Sequence, residues 1–300
     1  RLPAVDRELT RWSDYGEAYL MKPAMYVLSG RGCGRNGRSH PGCSFCSWQH
    51  NLWKGTARLR SPANLVSEVR DLVARYGVRE FFDDNESGPF WNEDWTEEYC
   101  QRIVAEGLQN RTSFSSNARA DALCARTCGN LARAGFRLLK VGLESGNDRT
   151  LAMIGKGETL EEIVAGVKTA KDHGLRVLLT SMVGYPWETE EDVRRTFAVA
   201  KELLQYKCRL GDSLQCSILV PYPGTPLYTE SVERNWWAVK PESYGSYDMD
   251  SRVLKSDVDA AAWCGRMWRL HLAPRFVIGS LASLRKWDEF LMGVRGAMSL

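Results

Sequence analysis

The chain has 300 residues, 44% of them hydrophobic and 26% charged, a balance that excludes a disordered protein and supports one large core or two modest ones. A net charge of +3 is too small to point to nucleic acid or a membrane surface. No segment approaches the roughly 18 uncharged apolar residues of a membrane span, since the apolar stretch 276–284 is short and bounded by Arg275 and Arg285.

From residue 24 onward, short apolar runs alternate with amphipathic stretches. Residues 24–28 read as a first strand. Ser61 and Pro62 then open a helix as N-cap and first-turn proline, with Leu65, Val69, Leu72 and Val73 at helical spacing. A second strand is expected at 78–82, a helix at 95–106, a third strand at 112–115 and a helix over 120–134. A fourth strand follows at 138–143. Thr159 with Glu162, and Thr189 with Asp192, match the capping-box pattern and mark two more helices around a fifth strand at 175–183. A sixth strand is expected at 214–220, and helical pattern returns at about 257–271. Six strand-then-helix units predict an α/β fold: an incomplete (β/α)6 barrel on a parallel sheet, with a mainly helical C-terminal extension. The division expected is a lead-in or linker at 1–23, the partial barrel at 24–225 and the extension at 226–300, whose aromatics include Trp236, Trp237, Tyr244 and Tyr247.

Nine cysteines do not suit a small secreted disulfide framework, and three of them crowd into residues 33–46. Cys100, Cys124, Cys128, Cys208, Cys216 and Cys264 read as incidental or buried thiols. Cys33, Cys43 and Cys46 follow the first strand in a glycine-rich loop, and three thiolates suit a [4Fe–4S] cluster with one iron left open. Arg35 and Arg38 are expected to favour thiolate there. A structural zinc site is the alternative, because His40 completes a Cys3His set.

Other chemistry-bearing residues also follow strands: Asp83, Asp84, Asn85 and Glu86 after the second, Asn117 and Arg119 after the third, Glu144 and Ser145 after the fourth. Gly184 to Pro186 follow the fifth, and Pro221 to Gly224 follow the sixth. In a parallel barrel these positions share the C-terminal face, where ligands bind. Turn chemistry accounts for the glycines and prolines singly, but not for carboxylates and cysteines on one face. Arg119 reads either as an anion ligand or as a partner of Asp121.

The cysteine trio, with Phe45 before its last member, resembles the signature of radical S-adenosylmethionine (SAM) enzymes. The gap of nine residues between Cys33 and Cys43 exceeds the family's common three and is similar to that of the Elongator-type tRNA acyltransferase subunit. Phe82-Asp83-Asp84, Val141 to Gly146, Lys156-Gly157, Val183 to Pro186 with Glu188 to Asp192, and Pro221 to Tyr228 resemble instead the branch often fused to an N-terminal cobalamin-binding domain.

That resemblance implies the following roles. Cys33, Cys43 and Cys46 would bind the cluster, and Phe45 would lie by the SAM adenine. Asp83 and Asp84 would meet the SAM amino group, and Glu144 and Ser145 the ribose or methionine moiety. Gly184 would offer backbone to the adenine, and Asn117 and Ser181 would join the cofactor site. SAM would be cleaved reductively to a 5′-deoxyadenosyl radical acting on a small or medium organic substrate, with methyl transfer and oxidative cyclisation as candidate outcomes. A flavodoxin- or ferredoxin-type donor would supply electrons. No Asp-x-His-x-x-Gly cobalamin signature occurs, and residue 1 is Arg, so cobalamin is expected from a domain outside this chain. No dense basic stripe supports nucleic acid, although a tRNA-modifying enzyme and an RNA-contacting zinc protein stay open. No signal-peptide pattern opens the chain, and a cytoplasmic location is expected.

Overall fold

A computed structural model describes residues 5–240 and 252–284. Six parallel strands form the central sheet: β1 (Ala24–Val27), β2 (Glu80–Asp83), β3 (Ser113–Ala118), β4 (Phe136–Glu144), β5 (Arg176–Val183) and β6 (Ser213–Ile218). Their spatial order is their chain order, β1 to β6, so every crossover returns to the next position in the sheet. A one-way progression of this kind curls the sheet, and with β1 and β6 at its two ends the barrel stays open. The expected (β/α)6 architecture is the one observed.

The helices are α1 (Pro62–Tyr76), α2 (Glu93–Ala105), α3 (Ala125–Arg133), α4 (Asp148–Met153), α5 (Leu160–Asp172), α6 (Glu190–Gln205), α7 (Pro226–Glu233), α8 (Ala260–Trp268) and α9 (Pro274–Ala282). α1 begins where the sequence says: the Ser61 hydroxyl accepts the Asn64 amide, and Leu65, Val66, Val69, Leu72 and Val73 are buried on one face. Both capping boxes form at Thr159 and Thr189.

The helix expected over 120–134 is interrupted. A single tight turn at Ala120–Ala122 comes first, and α3 starts only after an extended Cys124. Tertiary contact explains the break. The Asp121 amide donates to Glu158 at 3.0 Å, and α5 presses so closely that a Cβ on Gly166 would lie 2.2 Å from the Ala120 carbonyl oxygen.

The lead-in segment is bound to the barrel floor. Glu80 accepts from Arg137 at 2.7 Å, from the Met21 amide at 2.6 Å and from the Ser115 hydroxyl, while Arg137 also donates to the Tyr19 carbonyl at 2.7 Å. Glu80 and Arg137 are both buried, so this ion pair closes the N-terminal end of the barrel with its hydrogen bonds largely satisfied. Within the described part of the C-terminal extension, α8 packs over β6, capped by Asp259, whose side chain accepts the Ala262 amide at 3.0 Å. Tyr244 and Tyr247 lie outside the described residues.

Candidate active site

The segment after β1 folds into a knot of two small antiparallel ribbons, Gly30–Arg31 with Arg58–Leu59 and Gly34–Arg35 with Arg38–Ser39. Gln49 is fully buried at its centre. Its side chain accepts the Cys33 amide at 3.0 Å and donates to the carbonyls of His40 at 2.7 Å and Thr56 at 3.2 Å. Gly42 has φ 104° and a Cβ there would strike Gln49, so this position needs glycine for both backbone and space. The Ser44 amide donates to Ile154 at 2.7 Å, and the Ser44 carbonyl accepts from Leu227 at 3.0 Å, which ties the cysteine turn to α4 and α7.

Cys33, Cys43 and Cys46 are all partly exposed and free. Burial pushes the Cys43 thiol up to about 12, opposed chiefly by Lys156, and burial also raises Cys46. Arg35, expected to favour thiolate, is instead held by Asp121 at 2.7 Å and Glu162 at 3.6 Å. The cations that face the thiols are Lys156 and Arg119.

The donor set fits an iron–sulfur cluster. Three soft thiols sit on a glycine-rich loop that leaves them accessible, and bound iron displaces their protons outright. The Cys3His zinc alternative is not assembled. His40 is buried, accepts the Gly42 amide at Nδ1 at 2.9 Å, and is pushed down to about 4 by burial and then by Arg119 and Arg35. Among the described residues, no three His, Cys, Asp or Glu side chains converge on a single ion, Cys33, Cys43 and Cys46 included, so the cluster fit rests on three free thiols sharing one partly exposed loop.

Across the lumen, β4 ends in a bulge between Gly142 and Glu144, and Glu144 has φ 58°, the left-handed region that disfavours a side chain. Such strain recurs at functional sites. Lys156 lies 3.2 Å from Glu144 and 3.4 Å from Glu158. Burial would lower the Lys156 ammonium, but Glu144 and Glu158 outweigh it and hold it above the ordinary lysine value. Arg119 pairs with Asp121 at 3.0 Å and Glu158 at 3.3 Å, which settles its two readings in favour of the internal partner.

The other sequence-predicted residues fall on two faces. Asp84 is exposed at the lumen, and Asn117 donates to it at 3.4 Å and to the Asn85 carbonyl at 2.9 Å. Asp83 is buried, accepts the Ser29 amide at 2.8 Å, and is pushed up to about 6 by burial. Ser145 is fully buried 3.4 Å from Thr196 on α6. Ser181 is buried in register with Cys216, whose sulfur lies 3.5 Å from Cys264 on α8, so it shares the helix-facing side. The structure therefore gathers Asp84, Asn117 and Glu144 at the lumen and sets Asp83, Ser145 and Ser181 among protein partners. Phe45 is half-buried against the core. Gly184, at φ 91°, and Tyr185 both donate their amides to Glu188, at 3.2 and 3.3 Å.

Residues that sequence reading missed line the lumen between these points. Strand register puts Lys140 beside Asn117, Thr180 beside Gly142 and Gln215, and Ser217 beside Met182, all half-buried. Period-two alternation against the buried Leu139, Val141 and Leu179 was the available signal. Toward the lead-in segment, a cavity of about 560 Å³ is lined by residues that include Tyr19, Tyr26, Phe82, Asp84 and Lys140.

An open six-stranded parallel barrel with three accessible thiols beyond its first strand and a polar lumen defines a protein built to hold an iron–sulfur cluster beside a second ligand. The family model described as the Radical SAM superfamily matches residues 27–200, and the chain belongs to that superfamily, whose cofactors are a [4Fe–4S] cluster and SAM. An uncharacterised methyltransferase of Pyrococcus horikoshii is 31% identical over 71% of this chain and 43% of its own length. The anaerobic magnesium-protoporphyrin IX monomethyl ester cyclase of Cereibacter sphaeroides is 26% identical over 71% of this chain and 33% of its own. The chain thus spans less than half the length of these two relatives. Among solved structures, the radical SAM methyltransferase TsrM of Kitasatospora setae, with cobalamin and a [4Fe–4S] cluster bound, superposes with a TM-score of 0.62 at 20% identity, over 90% of this chain and 50% of that one.

Proposed function

We propose that this chain binds a [4Fe–4S] cluster through Cys33, Cys43 and Cys46 and positions SAM against it for radical chemistry on an organic substrate. The observation that carries the reading is the knot after β1, which presents three accessible thiols facing Lys156 and Arg119 at the mouth of a polar lumen. When bound, the cluster and SAM together supply reductive cleavage to a 5′-deoxyadenosyl radical. The protein's own part is positional. Glu144, held by Lys156, and Asp84, held by Asn117, offer carboxylates to the polar groups of SAM. Gly184, its amide held by Glu188, shapes the turn after β5 in a left-handed backbone, and Phe45 gives an apolar surface beside the cysteines. Asp83, Ser145 and Ser181 support these elements from behind.

A second reading adds cobalamin, for methyl transfer or ring-forming oxidation. The relatives named as a methyltransferase and a cyclase, and the fold shared with the cobalamin-bound TsrM, support it. The cobalamin would come from outside these 300 residues. A flavodoxin- or ferredoxin-type donor and cytoplasmic residence belong to the same reading. Among the described residues, no helix is long and apolar enough to cross a membrane.

Anaerobic reconstitution tests the proposal. About four irons per chain are expected, and replacing Cys33, Cys43 or Cys46 by Ala removes most of them, whereas Cys208→Ala does not. Under strong reductant the loaded protein releases 5′-deoxyadenosine from SAM without added cobalamin. Stoichiometric zinc with no iron uptake defeats the reading. Tight retention of hydroxocobalamin by this chain alone would show that the second cofactor needs no further domain.

A further inference from the structure

Residues 18–67 hold seven Lys and Arg and no Asp or Glu, although the whole chain carries only +3. The remainder of the protein is therefore net acidic, and its positive charge is concentrated in the segment that wraps the cysteine loop. Part of that charge is neutralised within the fold: Arg35 by Asp121 and Glu162, and Arg60 by Glu68. Arg31 is half-buried 5.6 Å over the Trp53 ring. Arg38, Lys54 and Arg58 are exposed and make no ion pair among the described residues.

These three cations sit on segments joined to one another around the cysteine loop. Arg38 sits on the second ribbon, whose Ser39 hydroxyl accepts the Ala57 amide at 2.8 Å, beside Arg58. Lys54 follows the wide turn Trp48–Leu52, which starts two residues beyond Cys46. On that turn Trp48 and Leu52 are 59% and 55% exposed. Two large apolar side chains left in water among unpaired cations give the fold little, whereas an aromatic anchor within a charged rim is the composition of a protein-binding surface.

We propose that Trp48 and Leu52, with Arg38, Lys54 and Arg58 around them, dock an acidic one-electron carrier protein and admit electrons to the cluster bound by the neighbouring cysteines. The inference rests on the cluster reading above. Charge complementarity selects the occupant: the exposed Arg38, Lys54 and Arg58 outweigh the nearby half-buried Glu86, which is held by the Trp53 indole and the Gly32 amide, so the surface steers an acidic partner by long-range attraction and repels basic ones. An apolar centre with three free cations offers few phosphate contacts, so a nucleic acid fits it less well. The step is a plain electron transfer. The donor's reduced flavin or iron–sulfur centre loses one electron, the cluster gains it, and no bond forms or breaks.

The test uses the reconstituted holoprotein under anaerobic conditions, with cluster reduction followed by stopped-flow absorbance. Two reductants are compared: reduced flavodoxin, which is acidic, and reduced methyl viologen, a small cation. With flavodoxin the second-order rate is expected to fall as salt rises, and to drop at least ~10-fold when Arg38, Lys54 and Arg58 are all changed to Glu. With methyl viologen the same variant is reduced no more slowly than the parent. Trp48→Ser is expected to weaken the flavodoxin encounter several-fold at constant charge, and the Arg38→Lys, Arg58→Lys variant to keep the parent rate. A flavodoxin rate indifferent to salt and to charge reversal overturns the proposal. So does a charge-reversed variant that loses tRNA retention on filters while keeping its flavodoxin rate. Failure of methyl viologen to reduce the parent protein would instead strike the cluster reading itself.

Discussion

The Gln49 side chain accepts the Cys33 amide at 3.0 Å and so fixes the backbone of the first cysteine from 16 residues away. The same amide group binds the carbonyls of His40 and Thr56, so one side chain holds three points of a long cysteine loop. The wide gap between Cys33 and Cys43 is thereby an ordered excursion, closed by the His40 amide donating to the Cys33 carbonyl at 2.8 Å.

Gln49→Ala leaves those backbone groups without their partner. A loss of about 1–3 kcal/mol is expected, together with faster loss of iron on desalting. Thermal unfolding and iron analysis check it, and unchanged iron retention would show that the loop holds its cysteines without Gln49.

Glu144 combines a left-handed backbone with an ion pair to the buried Lys156. Asn accepts that backbone more readily than Glu, but the buried Lys156 keeps only Glu158 as partner, so Glu144→Asn is expected to cost about 1–3 kcal/mol of stability and to weaken SAM binding by roughly ten-fold. Calorimetric titration of SAM into the reconstituted protein gives the affinity. An unchanged value removes Glu144 from the SAM site.

Asp83 and Asp84 are adjacent in sequence and opposite in environment. Asp84→Asn is expected to lower SAM affinity by roughly ten-fold with little effect on unfolding, since Asp84 is exposed at the lumen. Asp83→Asn is expected to show mainly in stability, because its carboxylate is enclosed by the amides of Ser29 and Asn85. The reverse pattern would place Asp83, and not Asp84, on the ligand.

Burial pushes the Glu188 carboxyl up to about 8, against the two amides of Tyr185 and Gly184 that oppose the shift. A carboxyl whose folded pKa lies above its unfolded value binds more protons when folded, so its stabilisation is full at low pH and is lost as pH rises toward 8. Asp83, at about 6, acts with the same sign but lower in pH. His40 and His271, both pushed down by burial, act with opposite sign and below their unfolded value near 6.5. Between pH 6.5 and 8 the parent is expected to lose about 1–2 kcal/mol, and Glu188→Gln to flatten that slope. Denaturant midpoints across this window test it, and parallel slopes for the two proteins would exclude Glu188 as the source.

Local chemistry in the chain was enough to reveal the strand-helix alternation, the Ser61 cap, both capping boxes and the cysteine trio. Each depends on residues within a turn or two of one another: period-two and period-3.6 burial, or a hydroxyl three residues from an amide. Placing Asp84, Asn117 and Glu144 on one edge also followed, because parallel strands put their C-terminal ends on one face. Tertiary structure alone decided the rest. It broke the helix at residues 120–124 by pressing Gly166 of α5 against Ala120, gave Arg119 to Asp121 and Glu158, and made Lys156 the chief cation opposing the raised Cys43 thiol. It also separated Asp83 from Asp84, because successive residues of a strand point to opposite faces and only the packed helices define which face is the lumen. Gln49 belongs with these. A glutamine in a polar loop carries no local mark, and its role exists only once residues 33, 40 and 56 have been folded around it.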